Sequence, residues 1–422
     1  MSTTARNPSP EESRDKSLRP VTPPAVTNDV SSFEQAKAAA RNFSIVVGGP
    51  VYDFFLRIGL VRRGLPNVRP RIIAFVAIAW LPLLVLSIKD GLALGDRVTI
   101  PLLLDFSTYG RLLLALPLLL LAEVVIDPGI RSAVEEFVEE GIVPEKEYPA
   151  FEQVLHRVQR WRDSAIPELM LLALAFFPVF LFQHEWKAEL VTSWHSTAQG
   201  LSAAGWWYLS ISAPLFRFIL FRWTFRYIIW ALLLWRISRL RLRLLPAHPD
   251  HMAGLGFLSR TQARFGILFC ALGCAFAGQV ANSIIHEHAA LPSFKFLIVV
   301  FVVLAVILGI CPLVVWVPKL ARIRLRGLQA YAKLGNRYTE EFDQKWLHHA
   351  EPPADSLLGS ADIQSLADMG ASYDLVRQMS IAPITKRLAV QLAVFAALPL
   401  LPVVIYATPT GAIVNAIMKM IA

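Results

Sequence analysis

The chain has 422 residues, of which 55% are hydrophobic and only 17% charged, and its formal net charge is +9. A water-soluble domain typically carries about 25% charged residues, so this composition excludes an ordinary soluble globule. In a soluble protein the positive charge would suggest nucleic acid. Here Arg and Lys cluster at the ends of apolar runs, which excludes nucleic acid as the expected partner and suits lipid headgroups.

The apolar runs each approach the ~20 residues that a helix needs to cross a bilayer core. Backbone groups in lipid must be satisfied within the segment, so the runs are predicted to be helical. A transmembrane barrel would show short alternating segments instead. The expected fold is all-α: a polytopic helical membrane bundle of about seven transmembrane helices, with cytoplasmic helical segments.

In chain order, residues 1–45 are rich in Pro, Ser, Thr and charge, and predict a disordered tail with no cleavable signal peptide. Residues 46–126 hold an amphipathic stretch at the membrane surface, Ile45 to Leu60. The basic cluster Arg57, Arg62, Arg63, Arg69 and Arg71 follows, then spans at about Ile72–Ile88 and Leu112–Ile126. Residues 127–165 predict a cytoplasmic helical hairpin, broken at Gly141–Pro144. Residues 166–317 carry spans three to six, at about Ile166–Phe182, Trp206–Leu245, Phe265–Ile285 and Phe296–Val317. The second of these is too long for one perpendicular crossing. It reads either as one tilted helix kinked at Pro214 or as two short helices in a re-entrant hairpin, and the parity of the topology depends on which. Residues 318–386 predict a cytoplasmic region: a basic helix from Lys319 to about His348, the linker Glu351–Leu358, and a helix N-capped by Ser360. Residues 387–422 hold a last span, about Leu388–Tyr406, and a short tail. With seven spans the main basic groups fall on one side, so the amino terminus is expected in the cytoplasm.

Three groups of residues are candidates for function. Arg217, Arg222 and Arg226 lie within apolar surroundings, where an arginine costs about 2.5–3.5 kcal/mol on insertion scales. Such residues face a partner or a wet cavity, and Glu123, Asp127 and Glu168 are the candidate partners. The alternative is snorkelling to an interface, the favoured reading for Arg226, with Arg222 open between the two. The loop residues His248, Asp250 and His251 are the densest set of ligating side chains. They could hold a metal or act as base and acid. The competing reading, which is preferred, is a turn set by Pro246 and Pro249, with Asp250 capping the next helix. His286, Glu287 and His288 read as a solvated loop. Gly266, Cys270, Gly273, Cys274, Ala277 and Ala281 form a small-residue stripe that predicts close helix packing or a homo-oligomer face. Gln279 and Asn282 on the same helix are candidates to bond across it. No catalytic signature appears, and neither a cofactor nor a metal is expected.

The segment HPDHMAGLGFL at 248–258, with Arg222-Trp223 before it, and the segment LGSADIQSLAD at 358–368 resemble a family of uncharacterised bacterial integral membrane proteins of about this length. The resemblance implies a bacterial cytoplasmic (inner) membrane location and brings no activity or catalytic residue. The leading expectation is a non-enzymatic bundle in the lipid bilayer that docks a protein partner or anionic lipid headgroups. The alternatives are an anion channel or transporter using Arg217 and Arg222, and an enzyme acting on lipid or polyprenyl phosphates through His248, Asp250 and His251.

Overall fold

The computed structural model describes residues 26–57, 59, 68–181, 192–197, 200–348 and 361–408. The first 25 residues of the tail, Leu60, Arg62 and Arg63, the polar end Gln183–Trp186, the linker Glu351–Leu358, Ser360 and the tail after Thr408 lie outside them. Six helices are long and apolar enough to cross a membrane: α3 (Val68–Lys89), α4 (Phe106–Glu139), α7 (Ala203–Ser238), α8 (Gly256–His286), α9 (Leu291–Trp346) and α11 (Lys386–Ala407). The third expected span is a shorter described helix, α6 (Ala165–Leu181). The fold is the all-α membrane bundle that the apolar periodicity requires.

Burial sorts these helices into layers. In α4 and α8, 56% and 61% of the apolar window is buried within the chain, against 22% in α3, α9 and α11. The first pair is therefore the centre of the bundle, and the second set offers most of its apolar surface to lipid. Both layers are apolar enough to span a membrane, the outer helices more so than the central pair.

The centre is tight where α4 crosses α8. A Cβ on Gly110 would sit 2.5 Å from the Cys274 carbonyl oxygen, and one on Gly278 would meet the Phe106 carbonyl. Two glycines thus let the backbones touch. Farther along α8, Gly266 lies against Phe395 and Gly273 against the Ala396 carbonyl of α11. Cys274, Ala277 and Ala281 are buried, while Cys270 is half-buried. The small-residue stripe is occupied by helices of the same chain, which differs from its use as a face between copies.

The segment Trp206–Leu245 forms one helix as far as Ser238 rather than a re-entrant pair. Its turn Tyr208–Ser212 is widened to i→i+5 bonding just ahead of Pro214, and Tyr109–Ala115 is widened in the same way ahead of Pro117. Proline has no N–H to donate back, and a wide turn on its N-terminal side absorbs the mismatch without ending the helix.

Two segments depart from expectation. Within the tail expected to be disordered, residues 26–41 form helix α1 (Val26–Arg41). Ala36 and Ala40 are fully buried on α4 and on α5 (Tyr148–Arg162), and Lys37 pairs with Glu139 at 2.8 Å. Phe33, Ala36, Ala40 and Phe43 recur at helical spacing, but small residues give a weak apolar signal. In the expected hairpin 127–165, residues 127–139 are the unbroken end of α4 rather than a separate helix. Gly141 turns the chain back at φ +63° toward α5. Among its described residues, the stretch expected at the interface is helical over α2 (Pro50–Arg57). At the far end, α9 runs on from the membrane into the basic helix and packs along α10 (Ala361–Gln378).

Candidate functional site

Two of the three arginines expected inside the membrane, Arg222 and Arg226, meet carboxylates at the end of the bundle where α3 starts. Glu123 and Asp127 lie four apart on α4, so they share a face, and Arg222 and Arg226 do the same on α7. Glu123 accepts from Arg226 Nη1 at 2.8 Å, and its other oxygen is ion-paired with Arg71 Nη1, at the start of α3, at 2.6 Å. Arg222 Nη1 is 3.9 Å from the same carboxylate, and its Nε is 3.3 Å from Glu168 at the start of α6. All five side chains are 8% exposed or less. Three guanidinium groups therefore meet two carboxylates out of contact with water. At such burial an unpaired charge is very costly and the attraction within pairs is strong.

The bent segment 44–49 and the first turn of α2 close this network from outside. Asp127 accepts from the Ser44 hydroxyl at 2.7 Å and from the Ile45 N–H at 3.0 Å. Glu168 accepts from the Val51 N–H at 2.9 Å. Arg226 donates to the Val46 carbonyl at 3.4 Å, and Arg162 donates to the Ser44 carbonyl. Gly48 and Gly49 turn the chain here at φ +127° and +87°, against Asp163 and Glu168, a conformation that side chains with a Cβ resist.

Of the sequence candidates, Glu123, Glu168 and Arg222 come together as partners. Arg226 does not snorkel; it is the closer α7 partner of Glu123, and its guanidinium lies 5.1 Å from the Trp223 ring centre. Asp127 serves the Ser44 segment and Arg131 rather than an α7 arginine. Arg71, expected at the surface in a basic cluster, is 4% exposed. Its signal was its place at the opening of a span, one turn inside the cluster.

Arg217 stands apart, toward the opposite end of α7. It lines a cavity of about 410 Å³ with Asp105, Thr108, Arg111, Tyr208, Gln279 and Asn282, among others. Arg111 donates to the Tyr208 hydroxyl at 2.9 Å and to Gln279 Oε1 at 3.0 Å. Asp105 caps α4 and accepts from Thr108, from Trp194 Nε1 at 2.9 Å and from Asn282 Nδ2 at 2.7 Å. The neighbouring His286 ring bonds the Leu104 carbonyl at 2.8 Å.

The HPD loop is a turn. Asp250 accepts backbone N–H bonds from Met252, Gly254 and Gly256 at 2.7, 3.1 and 2.9 Å, and its Oδ1 is 2.8 Å from His248 Nδ1. Partial burial alone would raise its pKa, but these donors hold the carboxyl below the ordinary value of 3.8. His251, at φ +55°, bonds the Ser380 N–H through its carbonyl and ties the loop to the chain after α10. Among the described residues, no three His, Cys, Asp or Glu side chains converge as metal ligands would.

Fold and network together define a polytopic helical membrane protein with an ion-paired core. No protein-family model, no curated protein and no solved structure matches the chain.

Proposed function

We propose that this protein is a non-enzymatic membrane bundle whose basic end docks anionic lipid headgroups. The observation that supports this reading is the junction between α9 and α7. There α9 leaves its apolar span without a break and carries Lys319, Arg322, Arg324 and Arg326 over two turns. Lys319 donates to the Ser238 and Leu240 carbonyls at the end of α7, which fixes the two helices to each other. Arg239, Arg241 and Arg243 of α7 and the loop after it, with Arg322 and Arg326, remain exposed beside that junction. Each such cation near an anionic leaflet contributes about 1 kcal/mol. The excess of cations supports a cytoplasmic side for this end and for the amino terminus, and the family resemblance points to a bacterial inner membrane.

The other two readings find less support. Arg222 is bound to two carboxylates rather than lining an open path. Asp250 is engaged by three backbone donors, which leaves it poorly placed as a base.

The test is lipid binding in nanodiscs of phosphatidylcholine with graded phosphatidylglycerol. Replacing Arg239, Arg241 and Arg243 together by Gln is expected to lower the preference for the anionic lipid about 100-fold, taking ~1 kcal/mol per charge. Equal preference in the variant and the parent protein would refute the reading.

A further inference from the structure

The cavity toward the opposite end of α7 is lined by two arginines, Arg111 and Arg217. Neither Arg111 nor Arg217 has a carboxylate within salt-bridge distance among the described residues, in contrast to Arg71, Arg222 and Arg226. Arg111 is held by neutral groups, the Tyr208 hydroxyl and Gln279 Oε1. These fix its direction without neutralising it. Arg217 Nη1 is buried and has no hydrogen-bond partner among the described residues. Asp105, the buried carboxylate among the described lining residues, is occupied by the Ser107 and Thr108 N–H groups, the Thr108 hydroxyl, Trp194 and Asn282. Glu287, which also lines the cavity, is exposed to solvent.

Several donors remain in the lining. Tyr208 accepts from Arg111, which leaves its hydroxyl proton to donate. Gln279 accepts through Oε1, which leaves its NH2 group. With Arg217, these groups line a space of about 410 Å³, within the ~300–1,000 Å³ range of small-molecule sites. Two guanidinium groups with neutral donors form the set that recognises an oxyanion, because the planar fork matches two oxygens of a phosphate or carboxylate. Arg217 is half-buried and its Nη1 lacks a hydrogen-bond partner among the described residues; a polar group in that position costs free energy, which an anion bound beside it would offset.

We propose that this cavity binds the phosphate group of a small anionic molecule, with Arg217 and Arg111 as the charged contacts and Tyr208 and Gln279 as the neutral donors. The phosphate belongs either to a soluble molecule or to a lipid headgroup from the leaflet at this end. The site is separate from the basic end of the bundle and does not rest on the lipid docking proposed there.

The test uses the full chain in phosphatidylcholine nanodiscs. One arm titrates inorganic phosphate against thermal unfolding, with chloride at matched ionic strength as the control. The other replaces part of the lipid with phosphatidylglycerol and counts retained lipid by native mass spectrometry. Arg217→Gln removes an unpaired charge, so it is expected to keep the fold and its melting temperature. It should weaken the phosphate-dependent shift at least tenfold, or release one retained phosphatidylglycerol. A phosphate shift lost in the variant supports a soluble ligand. A retained lipid lost in Arg217→Gln but kept in Arg322→Gln supports a headgroup at this cavity rather than at the basic end. No phosphate shift and no Arg217-dependent lipid in the parent protein would overturn the proposal, as would the same behaviour in Arg217→Gln and the parent. Tyr208→Phe, which keeps every charge, is expected to weaken phosphate severalfold and provides a second, milder measurement.

Discussion

Glu123 is the hub on which the buried network turns, and Glu123→Gln is the sharpest test of it. The amide keeps the size and one acceptor oxygen but loses the charge. Arg71 then has no carboxylate partner, and Arg226 keeps only the Val46 carbonyl at 3.4 Å and the Trp223 ring. Arg222 keeps Glu168 at 3.3 Å. Breaking a buried pair by removing one partner costs about 3–5 kcal/mol, because the remaining charge stays out of water. Since the amide oxygen can still accept one bond, the expected loss is about 3 kcal/mol, at the lower end of that range. Unfolding in mixed micelles of dodecylmaltoside and SDS, followed by tryptophan fluorescence, reads it directly. Combining Glu123→Gln with Arg71→Gln should cost less than the sum of the two, with a coupling of roughly 1–3 kcal/mol, as expected for side chains in contact. A loss under 1 kcal/mol for Glu123→Gln, or strict additivity in the pair, would refute the claim that these charges stabilise one another in the folded bundle.

Further outcomes follow from the same contacts. Gly110→Ala places a methyl group 2.5 Å from the Cys274 carbonyl. It is expected to destabilise the α4–α8 crossing by about 1–3 kcal/mol, while Gly141→Ala, which has open space but φ +63°, should cost about 1 kcal/mol through backbone strain alone. Ser44→Ala leaves Asp127 short of one donor and should cost about 1–2 kcal/mol, seen as faster proteolysis of the segment before α2. Asp250 has its carboxyl held below the ordinary 3.8, so its contribution is present above that value and is lost as pH falls through the lower folded one. Hydrogen exchange of the Met252, Gly254 and Gly256 amides should therefore accelerate below about pH 4. Asp250→Asn should show fast exchange at neutral pH with no further rise on acidification.

The chain's sequence determined that it is a helical membrane bundle, where its long helices run, and that any arginine deep in them needs company. Those properties follow from composition and period, which local segments carry by themselves. Even the partner choice was partly legible, since Glu123 and Glu168 stood with Asp127 as the candidate carboxylates for the arginines of α7. Tertiary structure alone decided the rest. Arg71 and Arg226 could not be assigned to Glu123 from spacing, because each looks as able to reach the interface as to face inward until the neighbouring helices are placed. The helix at 26–41 stayed hidden because its buried face is alanine, which contributes little hydropathy but fits closely on α4. Arg217 was separated from Arg222 only by the folding of α4, α7 and α8 around a cavity. Five residues along one helix are about 7.5 Å, enough to pass from a sealed ion-paired core to an open polar site.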